Sequence, residues 1–147
     1  CKFRCKGCQN PELQNENGGY WVETSEIVKE LDKFGDFYKS VTFSGGDPTF
    51  QEMGLIELAK QIILPKILYT GMLYEDLSEE VKDVVDIVVD GQYRENLKTG
   101  GFPASANQRV IRRKDIIGGY QKNFEWITWR YFCEVRDYIF EGFGGLV

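Results

Sequence analysis

Three times along this chain a stretch with helical spacing gives way to a short β-branched and aromatic run that stops at glycine, and this alternation restricts the fold most. The runs are Ser40 to Ser44 before Gly45-Gly46-Asp47-Pro48, Lys66 to Thr70 before Gly71, and Asp86 to Asp90 before Gly91. Each predicts a buried strand that delivers a turn. The first helical stretch carries Ile27, Val28, Leu31 and Phe34 on one face, with Ser25 as its cap and Gly35 at its end. The second spans Gln51 to Ile63, with Leu55, Ile56, Leu58, Ala59, Ile62 and Ile63 at helical spacing until Pro65 blocks continuation. The third is capped by Ser78 and runs through Val85, with Glu79 and Glu80 at the positive end of its dipole. Alternation of this kind predicts right-handed βαβ units, an α/β class with parallel strands covered by helices. A long loop over 92–107, with Gly100-Gly101 and Pro103, leads to one more strand at Gln108 to Ile111.

A chain of 147 residues fits one domain, expected here over 1–147. Lys and Arg total 18 against 23 Asp and Glu, a net charge of −5 that argues against nucleic acid as a partner. There is no histidine, which removes Ser-His-Asp and Cys-His nucleophile activation, HExxH zinc sites and imidazole proton shuttles together. Chemistry must run on cysteine, carboxylate, lysine, backbone or a cofactor. No apolar run approaches the roughly 20 residues that cross a bilayer, and no leader precedes the first motif, so no membrane partner and a cytoplasmic location are expected.

Residues 1–23 hold three cysteines, Pro11, Gly18-Gly19 and many amides without an apolar period, and read as a functional loop. Cys1, Cys5 and Cys8 stand at CxxxCxxC spacing. Three clustered thiols cannot all pair, so a disulfide framework fits poorly. Structural zinc needs a fourth ligand, which without histidine must be Cys133 or a carboxylate. A 4Fe-4S cluster takes four thiolates, and three in one loop leave one iron open.

With that vacancy the loop resembles that of radical S-adenosylmethionine enzymes, in which the amino and carboxylate groups of S-adenosylmethionine chelate the open iron. Ser44-Gly45-Gly46-Asp47-Pro48, about forty residues on, is similar to the family's GGEP segment with Asp in place of Glu. Two glycines allow close approach of main chain to a ligand, and their carbonyls can accept hydrogen bonds from a cationic amino group. Cys5-Lys6-Gly7-Cys8-Gln9-Asn10-Pro11-Glu12 resembles the loop of activating proteins for anaerobic, class III ribonucleoside-triphosphate reductases. Tyr69-Thr70-Gly71, Val89-Asp90-Gly91-Gln92-Tyr93 and Ser105-Ala106-Asn107-Gln108-Arg109-Val110 resemble the same group's TGY, VDGKF and SSNQRV segments, in order.

The resemblance implies a partial (β/α) barrel whose first strand would precede Cys1 and is missing from this chain. It implies that Cys1, Cys5 and Cys8 bind a 4Fe-4S cluster, converging near Gly45 and Gly46. Gly7, Cys8, Gln9, Gly45 and Gly46 would line the S-adenosylmethionine site, with Asp47 supporting the glycine turn. Asp90 would reach the cofactor's amino or ribose groups or simply initiate a turn; Asn107 and Gln108 would reach the adenosyl moiety or stabilise their loop. The implied reaction is reductive cleavage of S-adenosylmethionine to methionine and a 5′-deoxyadenosyl radical, which takes a Cα hydrogen from one glycine of the large reductase subunit. Implied partners are that subunit and an electron donor such as flavodoxin or ferredoxin. Lys2, Arg4 and Lys6, between the cysteines, offset the cluster's negative charge, dock an acidic electron donor or form a solvated face. Alternatives are an activase of another glycyl-radical enzyme, a small-molecule radical enzyme, or a non-catalytic metal or electron-transfer module. Cys133 reads as a small buried residue, Trp126 and Trp129 as core, and the aromatic-rich tail over 120–147 has no assigned role.

Overall fold

The elements that the alternation predicts are present in a computed structural model, which describes residues 1–15 and 17–113, all within the unit Cys1–Ile117. Cys133, Trp126, Trp129 and the tail over 120–147 lie outside the described residues. Helix α1 is Thr24–Lys33, strand β1 Val41–Phe43, α2 Glu52–Gln61, β2 Lys66–Tyr69, α3 Glu79–Val84, β3 Ile87–Asp90 and β4 Arg109–Arg112. One sheet holds the strands in the order β1-β2-β3-β4.

The first three strands are parallel, so their glycine turns emerge at one edge of the sheet. Register aligns Phe43 with Leu68 and Leu68 with Val88, one buried row across the sheet. Leu55 and Ala59 of α2, Ile62 beyond it, Val81 of α3 and Val85 close over that row. Leu68 has no exposed surface, and such burial of a leucine contributes roughly 1.5–3 kcal/mol. The Ser78 side chain caps α3 as expected, accepting from the Val81 N–H at 3.2 Å, and its hydroxyl donates to Glu52 of α2 at 2.5 Å.

Two expectations are corrected. Strand β4 pairs antiparallel with β3, Asp90 opposite Arg109, so the sheet is mixed and not wholly parallel. The reason is the connection: a parallel return needs a crossover, usually a helix, whereas the described chain between them supplies only a 3-10 turn, Glu95–Leu97, and one bridge between Lys98 and Ser105. Ser25 does not cap α1, which starts at Thr24 with Glu23 before it and no side-chain cap bond. The Thr24 hydroxyl instead donates to Glu57 of α2 at 2.9 Å and accepts from Gln61 at 3.0 Å, which fixes the helix start two residues early.

Candidate functional site

The strand ends gather around one carboxylate. Asp47 follows the Gly45-Gly46 turn and accepts from the Thr49 N–H at 3.0 Å and the Thr49 hydroxyl at 2.6 Å. It also takes the Thr70 hydroxyl at 2.9 Å and the Gly71 N–H at 2.6 Å, both from the end of β2. The Asp47 side chain therefore ties the first glycine turn to the second. Gly45 sits at a φ of +104°, which a residue with a Cβ adopts only under strain.

The cysteine loop lies against this turn. A Cβ on Gly46 would stand 3.5 Å from the Cβ of Cys1 and 3.5 Å from the Leu13 carbonyl oxygen, ordinary contact distances that set the loop directly beside this turn. The Cys1 nitrogen donates to that same carbonyl at 2.7 Å. The Cys8 N–H donates to the Cys5 carbonyl at 3.2 Å, closing a four-residue turn with Gly7 at φ +75° in the third position, as a type II turn requires. All three cysteines are free and half-buried, while Lys2, Arg4 and Lys6 between them are exposed. Phe3 anchors the loop: its ring lies over Gly71, where a Cβ would meet it at 2.7 Å, and 5.5 Å from the Phe50 ring.

The segment after β3 closes the other side. A cleft of about 500 Å³ is lined by Arg4, Cys5 and Lys6 on one wall and Gln92 to Asn96 on the other. Glu95 occupies the space where a Gly7 side chain would be and accepts from the Tyr93 hydroxyl; that bond holds the Tyr93 phenol above its ordinary pKa of 10. The Gln92 amide donates to the Phe3 carbonyl at 2.9 Å.

Asp90 is fully buried and turned to protein donors: the Tyr74 N–H at 2.8 Å, and Arg109 through Nε at 3.0 Å and a second guanidinium nitrogen. Arg109 also grips Glu75 with bonds of 3.0 and 2.7 Å, which hold the Glu75 carboxyl below its usual value. Gln108 braces its own loop, donating to the Gly91 carbonyl at 3.1 Å and accepting from the Ser105 N–H at 3.1 Å. Asn107 donates to the Gln92 carbonyl at 2.9 Å, and its Oδ1 is buried without a donor.

The loop thus brings Cys1 to Gly46 and turns Cys5 toward Cys8. Among the described residues no three His, Cys, Asp or Glu side chains are gathered closely enough to hold a metal ion. The donor set still suits an iron–sulfur group: three free thiols within eight residues, no imidazole, and a glycine turn alongside. Among the described residues no helix is long and apolar enough to cross a membrane. The anchors Phe3 and Gln92 and the Glu95 contact carry no sequence signal, because each depends on residues dozens of positions apart.

Residues 1–111 match the family of 4Fe-4S single cluster domains. The anaerobic ribonucleoside-triphosphate reductase-activating protein of Enterobacteria phage T4 is 31% identical, over 80% of this chain and 81% of its own. The pyruvate formate-lyase-activating enzyme of Clostridium pasteurianum is 36% identical over 61% of this chain, which spans 41% of that enzyme. No solved structure matches the chain.

Proposed function

The chain belongs to the radical S-adenosylmethionine activating-enzyme family, dependent on a 4Fe-4S cluster and S-adenosylmethionine, and from that premise we propose that it activates an anaerobic ribonucleoside-triphosphate reductase. The observation that carries the reading is the place of Cys1 beside Gly46, with the cysteine loop against the glycine turn at the ends of parallel strands. Cys1, Cys5 and Cys8 would hold the cluster, which would supply the one-electron reduction of S-adenosylmethionine and hence the radical chemistry for removing a Cα hydrogen from a glycine of the reductase's large subunit.

The protein's part is placement. Cys1, Cys5 and Cys8 hold the cluster, and Gly7, Cys8, Gln9, Gly45 and Gly46 line the S-adenosylmethionine site. Asp47 fixes the glycine turn through Thr49, Thr70 and Gly71. The unpartnered Oδ1 of Asn107 is an acceptor for a donor on the cofactor, since a buried polar atom without a partner is costly. Asp90 serves the site through Arg109 and the Tyr74 turn, because both of its carboxylate oxygens are already taken by these protein donors. No step needs a general base, so a chain without histidine is chemically sufficient. The Gln92–Asn96 wall of the cleft forms the rim that admits a backbone loop, and the exposed Lys2, Arg4 and Lys6 receive an acidic electron donor such as flavodoxin or ferredoxin. In this reading the mixed sheet is part of a partial (β/α) barrel, and the protein works in the cytoplasm.

A second reading is activation of a pyruvate formate-lyase type of partner, favoured by the Clostridium pasteurianum relative, although the chain spans 41% of that enzyme against 81% of the phage protein. The two part in one experiment. Anaerobic mixing of the reconstituted protein, S-adenosylmethionine, a reductant and the reductase should give a glycyl doublet by electron paramagnetic resonance, collapsing when the target glycine carries deuterium at Cα. A doublet with pyruvate formate-lyase and none with the reductase selects the second reading. Cys1→Ala, Cys5→Ala and Cys8→Ala should each reduce 5′-deoxyadenosine formation at least a hundredfold, as loss of one of three ligands leaves no stable cluster; full activity in any of them removes that residue from the ligand set.

A further inference from the structure

Arg4 is the only non-glycine residue at positive φ among the described residues, at +51°, and it stands between Phe3 and Cys5. A side chain with a Cβ holds that left-handed conformation only where its surroundings impose it. What imposes it here is visible at Phe3, whose ring and carbonyl are both held. The Phe3 ring is seated over Gly71 and beside Phe50. The carbonyl of the same residue accepts from the Gln92 amide at 2.9 Å. Gln92 is itself held, because its backbone carbonyl accepts from Asn107 Nδ2 at 2.9 Å and the neighbouring Gly91 carbonyl accepts from Gln108 at 3.1 Å. The side chain of Gln92 is exposed, so its amide gains nothing from burial and its one polar contact is with the loop.

We propose that Gln92 is a positioning residue for the cysteine loop: its amide holds the Phe3–Arg4 peptide in the strained turn that sets where Cys5 stands relative to Cys1. The Phe3 carbonyl lies in the peptide plane from which the φ of Arg4 departs, so the Gln92 bond fixes one end of that rotation while the Cys5–Cys8 turn holds the other. The strand-end segment that walls the cleft thereby also shapes the ligand loop, and Asn107 reaches the loop through one intermediate residue. This inference rests on the reading that Cys1, Cys5 and Cys8 hold the cluster.

Gln92→Leu removes the donor at similar size from an exposed position, and Gln92→Lys restores a donor of similar reach. In the full chain, hydrogen exchange of the cluster-free protein should show amides of residues 3–8 exchanging at least fivefold faster in Gln92→Leu than in the parent or Gln92→Lys. Amides of β3 should be unchanged, which separates this from unfolding. After anaerobic reconstitution, Gln92→Leu should bind at least twofold less iron and give an altered spectrum of the reduced cluster by electron paramagnetic resonance, with Gln92→Lys close to the parent. Arg4→Gly removes the strain, so in that background Gln92→Leu should lose most of its effect on exchange. Unchanged loop exchange in Gln92→Leu, or an effect as large with Gly as with Arg at position 4, overturns the proposal. A parent protein that binds no iron while the exchange result holds overturns the cluster assignment and leaves the loop-holding role of Gln92 standing.

Discussion

Asp47 shows how one side chain can decide a site without touching the chemistry. Its carboxylate collects donors from Thr49, Thr70 and Gly71, which join two turns 23 residues apart. Hydrogen bonds to an ionised group contribute about 1.5–3 kcal/mol each at best, and they share one carboxylate here, so Asp47→Ala should cost about 2–3 kcal/mol. Asp47→Asn keeps one acceptor oxygen and should cost about half as much. Urea midpoints measure both, and an Asp47→Ala change within about 0.5 kcal/mol of the parent, the range of an ordinary surface substitution, removes the residue from this role. The place of Asp47 beside Gly45-Gly46 was legible, because a glycine pair after a strand and before proline can hardly be anything but a turn. Its partners were not, since nothing in Thr70-Gly71 says which strand end lies beside it.

At the scale of elements, the strands and helices were legible where hydrophobic period and turn residues agree, as in β2 between Pro65 and Gly71 or α3 behind Ser78. The direction of β4 was not, because Arg109 to Arg112 reads the same whichever way it pairs. The side chains at its start show what holds it: Arg109 joins buried Asp90 of β3 to Glu75 in the 3-10 turn Tyr74–Asp76, so three segments meet on one guanidinium. The pH dependence follows from Glu75. Hydrogen bonding to Arg109 lowers its folded pKa below the usual 4.5, so the ionised form favours folding above that value, and the contribution is lost as pH falls through the folded pKa. Glu75→Gln should therefore be less stable than the parent at pH 7, and the gap should close below about pH 4. Because Glu75 is exposed, the gap is small and is best read as a difference in urea midpoints across a pH series. A gap that stays constant down to pH 3 contradicts the ion-pair account.

For the whole molecule, the decisive contrast is between a chain of net charge −5 and a cysteine loop whose exposed residues include Lys2, Arg4 and Lys6. An acidic protein meets a net repulsion from the chain as a whole, and at the loop it meets three cations beside the proposed cluster. Such an arrangement steers encounter more than it adds affinity, and steering fades as salt shortens the screening length from about 10 Å at 0.1 M toward about 3 Å at 1 M. Lys2 also lies over the Phe50 ring at 5.0 Å, so Lys6, which lines the cleft and is exposed, is the cleaner residue to change. Reduction of the reconstituted protein by an acidic one-electron carrier should slow on the order of tenfold between 0.05 and 0.5 M salt, while reduction by an uncharged photoreductant should barely change. Lys6→Glu should lower the low-salt rate with the carrier about threefold and flatten the salt dependence, leaving the photoreductant rate alone. Equal salt slopes for the carrier and the photoreductant would mean that the basic loop does not receive the donor, and that Lys2, Arg4 and Lys6 are only a solvated face.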